Sequence, residues 1–111
     1  MVNYDLIPLS ENQEGDFAVL LTDDALSPYV SRGQTVYLLR STLLDNGDIG
    51  LFYTEGGMSF RQFCQDSEGN IYLFTPDRSA RRQDLRIPAG SEKPVCYGKL
   101  LLKRPVPLPI D

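Results

Sequence analysis

Short apolar runs, each closed by turn residues, dictate what this chain can fold into. The runs are Phe17 to Thr22, Thr35 to Arg40, Ile49 to Tyr53, Met58 to Cys64, Ile71 to Phe74 and Val95 to Leu102. They are rich in aromatic and branched residues and too short for ordinary helices, which favours strands. Turn chemistry separates them at Asn46-Gly47-Asp48, Glu55-Gly56-Gly57 and Asp66-Ser67-Glu68-Gly69-Asn70. Connections this short make neighbouring strands antiparallel. Between Pro76 and Pro88, the Arg-rich stretch Asp77 to Ile87 reads as a polar loop followed by a short strand at Leu85-Arg86-Ile87. Asp24 to Ser31 has room for one helical turn beside Pro28, and no segment carries the pattern of a long amphipathic helix.

Composition narrows the function classes. With 111 residues the chain is expected to form one domain, residues 1 to 111. A net charge of −4 argues against a surface that coats nucleic acid, because neutralising phosphates needs clustered Lys and Arg. No apolar window is long enough to cross a bilayer, and Met1-Val2-Asn3-Tyr4-Asp5 does not start a signal peptide, so a cytoplasmic location without membrane contact is expected. Cys64 and Cys96 are expected to be reduced residues on strands. The chain has no histidine, which removes Ser-His and Cys-His mechanisms and leaves two cysteines short of a structural metal site. No metal and no cofactor is implied.

Four ordered pieces carry a family resemblance. Gly15-Asp16-Phe17 leads through a strand to Asp23-Asp24-Ala25-Leu26-Ser27-Pro28. Arg32-Gly33-Gln34-Thr35-Val36 precedes the next strand. Asn46-Gly47-Asp48-Ile49-Gly50 leads on to Phe60-Arg61-Gln62-Phe63 and Gly69-Asn70-Ile71-Tyr72-Leu73. Tyr97-Gly98-Lys99-Leu100-Leu101 closes the set. Together, over about residues 15 to 103, the pieces resemble the C-terminal domain of LexA-type self-cleaving repressors. That family has a Gly-Asp-Ser-Met-x-Pro turn, an Asp-Gly-Asp-x-Val segment, Asn-Gly-Asp-Ile-Val followed by Val-Lys-Gln-Tyr, and a closing Ile-Gly-Lys-Val-Val strand. The resemblance implies a mainly β, LexA-like or signal-peptidase-like domain of bent antiparallel strands. It places Ala25 at the nucleophilic serine and Arg61 at the lysine base, with Asp24, Leu26 and Pro28 as neighbouring motif residues. Asp23 stands where the family has glycine.

Those departures remove the family chemistry. A serine-lysine dyad needs a side-chain oxygen and a base that can shed its proton, which a desolvated lysine does. Ala25 has no oxygen, and an arginine is not deprotonated in proteins. Losing a serine nucleophile alone costs on the order of 10⁶ in rate. No intact catalytic residue is therefore expected. Ser27 and Ser59 read as turn and strand residues, and Lys99 and Lys103 as a solvated face. The family cuts itself at an Ala-Gly or Cys-Gly bond upstream of the serine. Residues 1 to 24 hold neither pair, and Ala89-Gly90 comes after the active segments.

The expected function is a non-catalytic regulatory or dimerisation domain of a phage-type or stress-response repressor. DNA contact would fall to a separate N-terminal region if one exists. By resemblance the domain pairs with a second copy, and Tyr97 to Lys103 is the expected pairing edge. Two alternatives remain. One is an active self-cleaving peptidase, with Ala25 an engineered change or another residue as nucleophile. The other is a peptide-binding module that kept the former active cleft. Arg78, Arg81 and Arg82 form the basic cluster, expected in a loop paired with Asp77 and Asp84. The tail, residues 104 to 111, alternates proline and is expected to run as an extended strip on the body or to be disordered.

Overall fold

The computed structural model describes residues 3–10, 14–54 and 56–109. Glu55 of the expected hairpin loop and residues 110–111 of the expected tail lie outside these. The described residues form eight strands: β1 Ile7–Pro8, β2 Phe17–Leu20, β3 Thr35–Leu39, β4 Ile49–Thr54, β5 Gly57–Gln65, β6 Ile71–Phe74, β7 Leu85–Ile87 and β8 Val95–Leu101. All belong to one antiparallel sheet in the order β1-β2-β3-β8-β4-β5-β6-β7. The fold is mainly β, as the run pattern predicts. No helix among the described residues is long and apolar enough to cross a membrane.

Strand alternation divides the apolar side chains between the two faces of the sheet. On the β4–β5 hairpin, Leu51 pairs with Phe60, and both enter a large cluster with Val19, Leu21, Leu26, Leu38 and Leu100. Phe52, one residue along, points the other way into a smaller cluster with Ile71 and Leu73. β8 serves both faces through a bulge. Leu51 pairs with Gly98 and Phe52 with Cys96, so Tyr97 is the extra residue. The insertion lets Tyr97 and Leu100 pack on the large cluster while Cys96 packs on the small one.

Several expectations are corrected by the structure. β8 is not an edge. It lies between β3 and β4, and at Lys99 it pairs with both Leu39 and Gly50. β8 therefore has a neighbouring strand on each side, β3 along Lys99 to Leu101 and β4 along Val95 to Lys99. The expected loop from Asp77 holds a 3-10 helix, Arg78–Gln83, capped by the Asp77 carboxylate accepting from Ser79 N–H. Its short length and lack of buried side chains leave no helical period to read in the sequence. β1 contains Pro8 and only two residues, so it gave no strand signal. The core reaches beyond 15 to 103: Tyr4 and Val106 are both buried in the large cluster. The proline-alternating tail is packed at Val106, whose carbonyl accepts a hydrogen bond of 2.7 Å from buried Gln62 Nε2.

Gly98 sits where three strands approach closely. A β-carbon there would collide with the Leu39 carbonyl and lie 2.9 Å from the Phe17 ring. Leu39 and Phe17 belong to β3 and β2, so neither can retreat without opening the β3–β8 seam. Gly98→Ala is expected to lower stability by about 1–3 kcal/mol, the usual range for overpacking, measured by urea unfolding. An unchanged unfolding midpoint would show that the seam tolerates a methyl group.

Candidate functional site

Residues 25 and 61, far apart in sequence, line one small cleft of about 200 Å³. The first wall is the turn after β2. Ser27 N–H donates to the Asp24 carbonyl, and Tyr29 and Val30 N–H groups both donate to the Leu26 carbonyl. Asp24 to Ser31 thus forms a hydrogen-bonded turn and not the helical turn expected there. Leu26 anchors it by inserting fully into the large cluster. That burial holds Asp23, Asp24 and Ala25 at the cleft, with exposed Pro28 on the far side of the turn. The Ser27–Pro28 peptide is cis.

The second wall is β5. Ser59 and Arg61 fall on one face by alternation, opposite Phe60 and Gln62. Arg61 is buried, its Nε donating to Ser59 Oγ at 3.3 Å and its Nη1 donating to the Gln83 carbonyl. Ser59 Oγ also shares a hydrogen bond with Thr54 Oγ1. Thr75, Pro76, Asp77, Ala80 and Gln83 close the third side. These come from the segment leading through the 3-10 helix, which the sequence did not connect with the motif residues.

Positions 25 and 61 do not form a serine-lysine pair. Ala25 supplies no nucleophile, and Arg61 remains a cation. Ser59, the serine that does line the cleft, accepts from Arg61 and shares a hydrogen bond with Thr54. Ser27 does not line it. A third departure acts on the backbone. Ala25 N–H donates to Asp23 Oδ1 at 3.2 Å. A carboxylate on that N–H is opposite in sign to what an oxyanion would require. Among the described residues, no group of three or more His, Cys, Asp or Glu is placed to hold a metal ion.

Asp23 is itself held by a residue that sequence reasoning missed. Tyr4 donates its hydroxyl to the Asp23 carboxylate, 2.9 and 2.8 Å from the two oxygens. Its ring packs tilted against Phe60, centroids 5.1 Å apart. The sequence clue was a single aromatic residue, Tyr4, between Asn3 and Asp5 in the entry segment. Asp24 is exposed and pairs with Arg32 at 3.0 Å, a surface contact of small energetic weight.

The basic cluster divides. Arg78 makes a two-point pair with Asp84, Nη1 to Oδ1 at 3.0 Å and Nη2 to Oδ2 at 2.9 Å, and lies over the Phe74 ring. Burial pushes the Asp84 carboxyl upward, but the Arg78 guanidinium and Thr75 N–H outweigh it and hold its pKa below the ordinary value. Asp77 caps the 3-10 helix instead of pairing with arginine. Arg81 and Arg82 are exposed. Lys99 is half-buried and pairs with Asp48 at 3.3 Å, so it is not the solvated side chain expected; Lys103 is exposed. Cys64 and Cys96 are free and half-buried on β5 and β8. Burial pushes the Cys96 thiol's pKa up, which disfavours the reactive thiolate.

Compared with known proteins, the chain matches no family model, no curated protein and no solved structure.

The Tyr4–Asp23 contact has a pH signature. Burial, reinforced by the Asp23 carboxylate, raises the Tyr4 hydroxyl's pKa above its ordinary value. An unfolded tyrosine ionises near pH 10. The stabilisation is therefore complete below about pH 10 and is lost as pH rises beyond it, because only the unfolded chain releases the proton easily. Tyr4→Phe is expected to reduce stability at neutral pH by about 1.5–3 kcal/mol, the range for a hydrogen bond to a charged group. It should also flatten the alkaline fall in a pH series of urea unfolding curves. An alkaline fall identical in both proteins would separate Tyr4 from that titration.

Proposed function

We propose that this chain is a non-catalytic LexA-like domain, the regulatory and pairing module of a phage-type or stress-response repressor. The observation that carries the reading is the meeting of Ala25 and Arg61 in one cleft. The motif resemblance assigns these two positions to a serine-lysine dyad without any knowledge of the fold. A chance match of short motifs gives no reason for the turn after β2 and strand β5 to bring them into one lining. Three further features support the loss of chemistry: the missing oxygen at Ala25, the permanent cation at Arg61, and the Asp23 carboxylate on the Ala25 N–H. In this reading the retained turn and strand serve as scaffold, and DNA contact belongs to a separate N-terminal region. Pairing of copies uses a surface other than the β8 edge, since β8 is interior.

The chain is expected to keep its intact mass through prolonged incubation at raised pH, where a lysine base would be most active. It should resist labelling by a fluorophosphonate, which reports an activated serine. Sedimentation at high micromolar concentration should give twice the chain mass. Fragments or a labelled serine would refute the non-catalytic part, and a monomer at that concentration would refute the pairing part.

A further inference from the structure

A second concave surface lies on the other side of the turn that carries Ala25. β8 ends at Leu101 and the chain leaves the sheet, while β3 begins at Thr35. The gap between the departing chain and the turn is a groove of about 670 Å³. Tyr37 and Leu101 are cross-strand partners and so share its floor. Tyr29, held by its N–H bond to the Leu26 carbonyl, stands at the rim. Both tyrosines are more than two-fifths exposed, at 44% and 43%. Half-buried Leu102 and exposed Pro105 complete an apolar lining.

The charge on this groove is of one sign. Lys103 and Arg104 are the charged residues among the described lining, and both are exposed. Neither takes part in the ion pairs formed among the described residues, which join Arg32 to Asp24, Arg78 to Asp84 and Lys99 to Asp48. In a chain of net charge −4, this is a local concentration of positive charge beside exposed aromatic rings. Apolar concavities with a few placed polar groups are the usual form of a binding site, and tyrosine and arginine are the residues enriched where binding energy concentrates. The described part of the tail, through Pro109, is not the occupant. Buried Val106, fixed by Gln62, holds the tail in place as a wall just beyond Pro105.

We propose that this groove docks an acidic peptide segment carrying one large apolar side chain. The apolar residue would lie between Tyr29 and Tyr37 over Leu101, and its flanking carboxylates would meet Lys103 and Arg104. This inference does not depend on the repressor reading, because it uses no residue of the Ala25–Arg61 cleft.

The test uses the full chain and a panel of fluorescein-labelled hexapeptides, Asp-Glu-X-X-Glu-Asp, in which X-X is Phe-Ala, Tyr-Ala, Ile-Ala or Ala-Ala. Fluorescence anisotropy should show saturable binding of the Phe, Tyr and Ile peptides, with the Ala-Ala peptide and a lysine-for-acid version at least about tenfold weaker. Lys103→Glu with Arg104→Glu should weaken binding by about tenfold or more, and added salt should weaken it for the native chain. Tyr37→Ser should weaken it severalfold with no change in salt dependence. Amide shifts on titration of the native chain provide a reading independent of variants, and should centre on Tyr29, Tyr37, Leu101 and Lys103. The proposal fails if no peptide binds, if the lysine version binds equally, or if the charge reversal changes nothing. It also fails if the native chain dimerises and Tyr37→Ser dissociates the dimer, for then a second copy fills the groove.

Discussion

The sheet depends on one late strand finding its place between two earlier ones. β1 to β3 form one local ladder, and β4 to β7 form another. Neither ladder pairs with the other directly. β8 joins them, pairing Leu101, Leu100 and Lys99 with Tyr37, Leu38 and Leu39 on one side, and Lys99 to Val95 with Gly50 to Tyr53 on the other. The large core cluster draws on both ladders, with Val19 and Leu38 from the first and Leu51 and Phe60 from the second. That core closes only when β8 docks. Because the pairing is distant in sequence, its loop-closure cost precedes its reward, and β8 insertion is the step where folding should be slow. The demand for close approach also explains why glycine stands at 98, where a β-carbon would meet β2 and β3 at once.

The cleft follows from the same construction. It is framed by the turn leaving β2, by β5, and by the segment after β6, so its walls come from both ladders. Leu26 sets one wall by core burial, and Arg61 sets the other by its bonds to Ser59 and Gln83. Each wall is held by packing or hydrogen bonding that needs neither a hydroxyl at 25 nor a neutral amine at 61. Arg61 remains charged and uses its fixed donors as a brace between β5 and the segment after β6.

Much of the sheet was legible because period-two patterning and Gly-Asn-Asp turns are local signals. β3, β4, β5 and β6 fall within a residue or two of the runs that predict them. What was not legible is non-local. Nothing in Val95 to Leu102 says that it inserts between β3 and β4 instead of capping an edge. Nothing in Tyr4 says that its hydroxyl reaches Asp23. The single turn at 25 to 30 was visible from its proline and polar residues, but the 3-10 helix was not, since it buries no side chain and shows no apolar period. The candidate site was half legible. Ala25 and Arg61 stood out by resemblance, whereas Thr75, Asp77 and Gln83 joined the cleft only through the tertiary fold.

One element serves both concave surfaces. Asp23, Asp24 and Ala25 face the cleft, while Tyr29 and Val30 face the groove, and fully buried Leu26 lies between them as the anchor. The hydrogen bonds from Tyr29 and Val30 to the Leu26 carbonyl make the turn a rigid unit. Its position is thus over-determined, by Leu26 in the core at one point and by the Tyr4–Asp23 contact at another. A turn fixed so firmly is well suited to present side chains, because little ordering entropy is lost when a partner arrives. The packing and hydrogen bonds that fix the turn beside the cleft also hold a tyrosine at the rim of an apolar, basic groove, so a change of side chain at Ala25 leaves the groove on the other side of the turn intact.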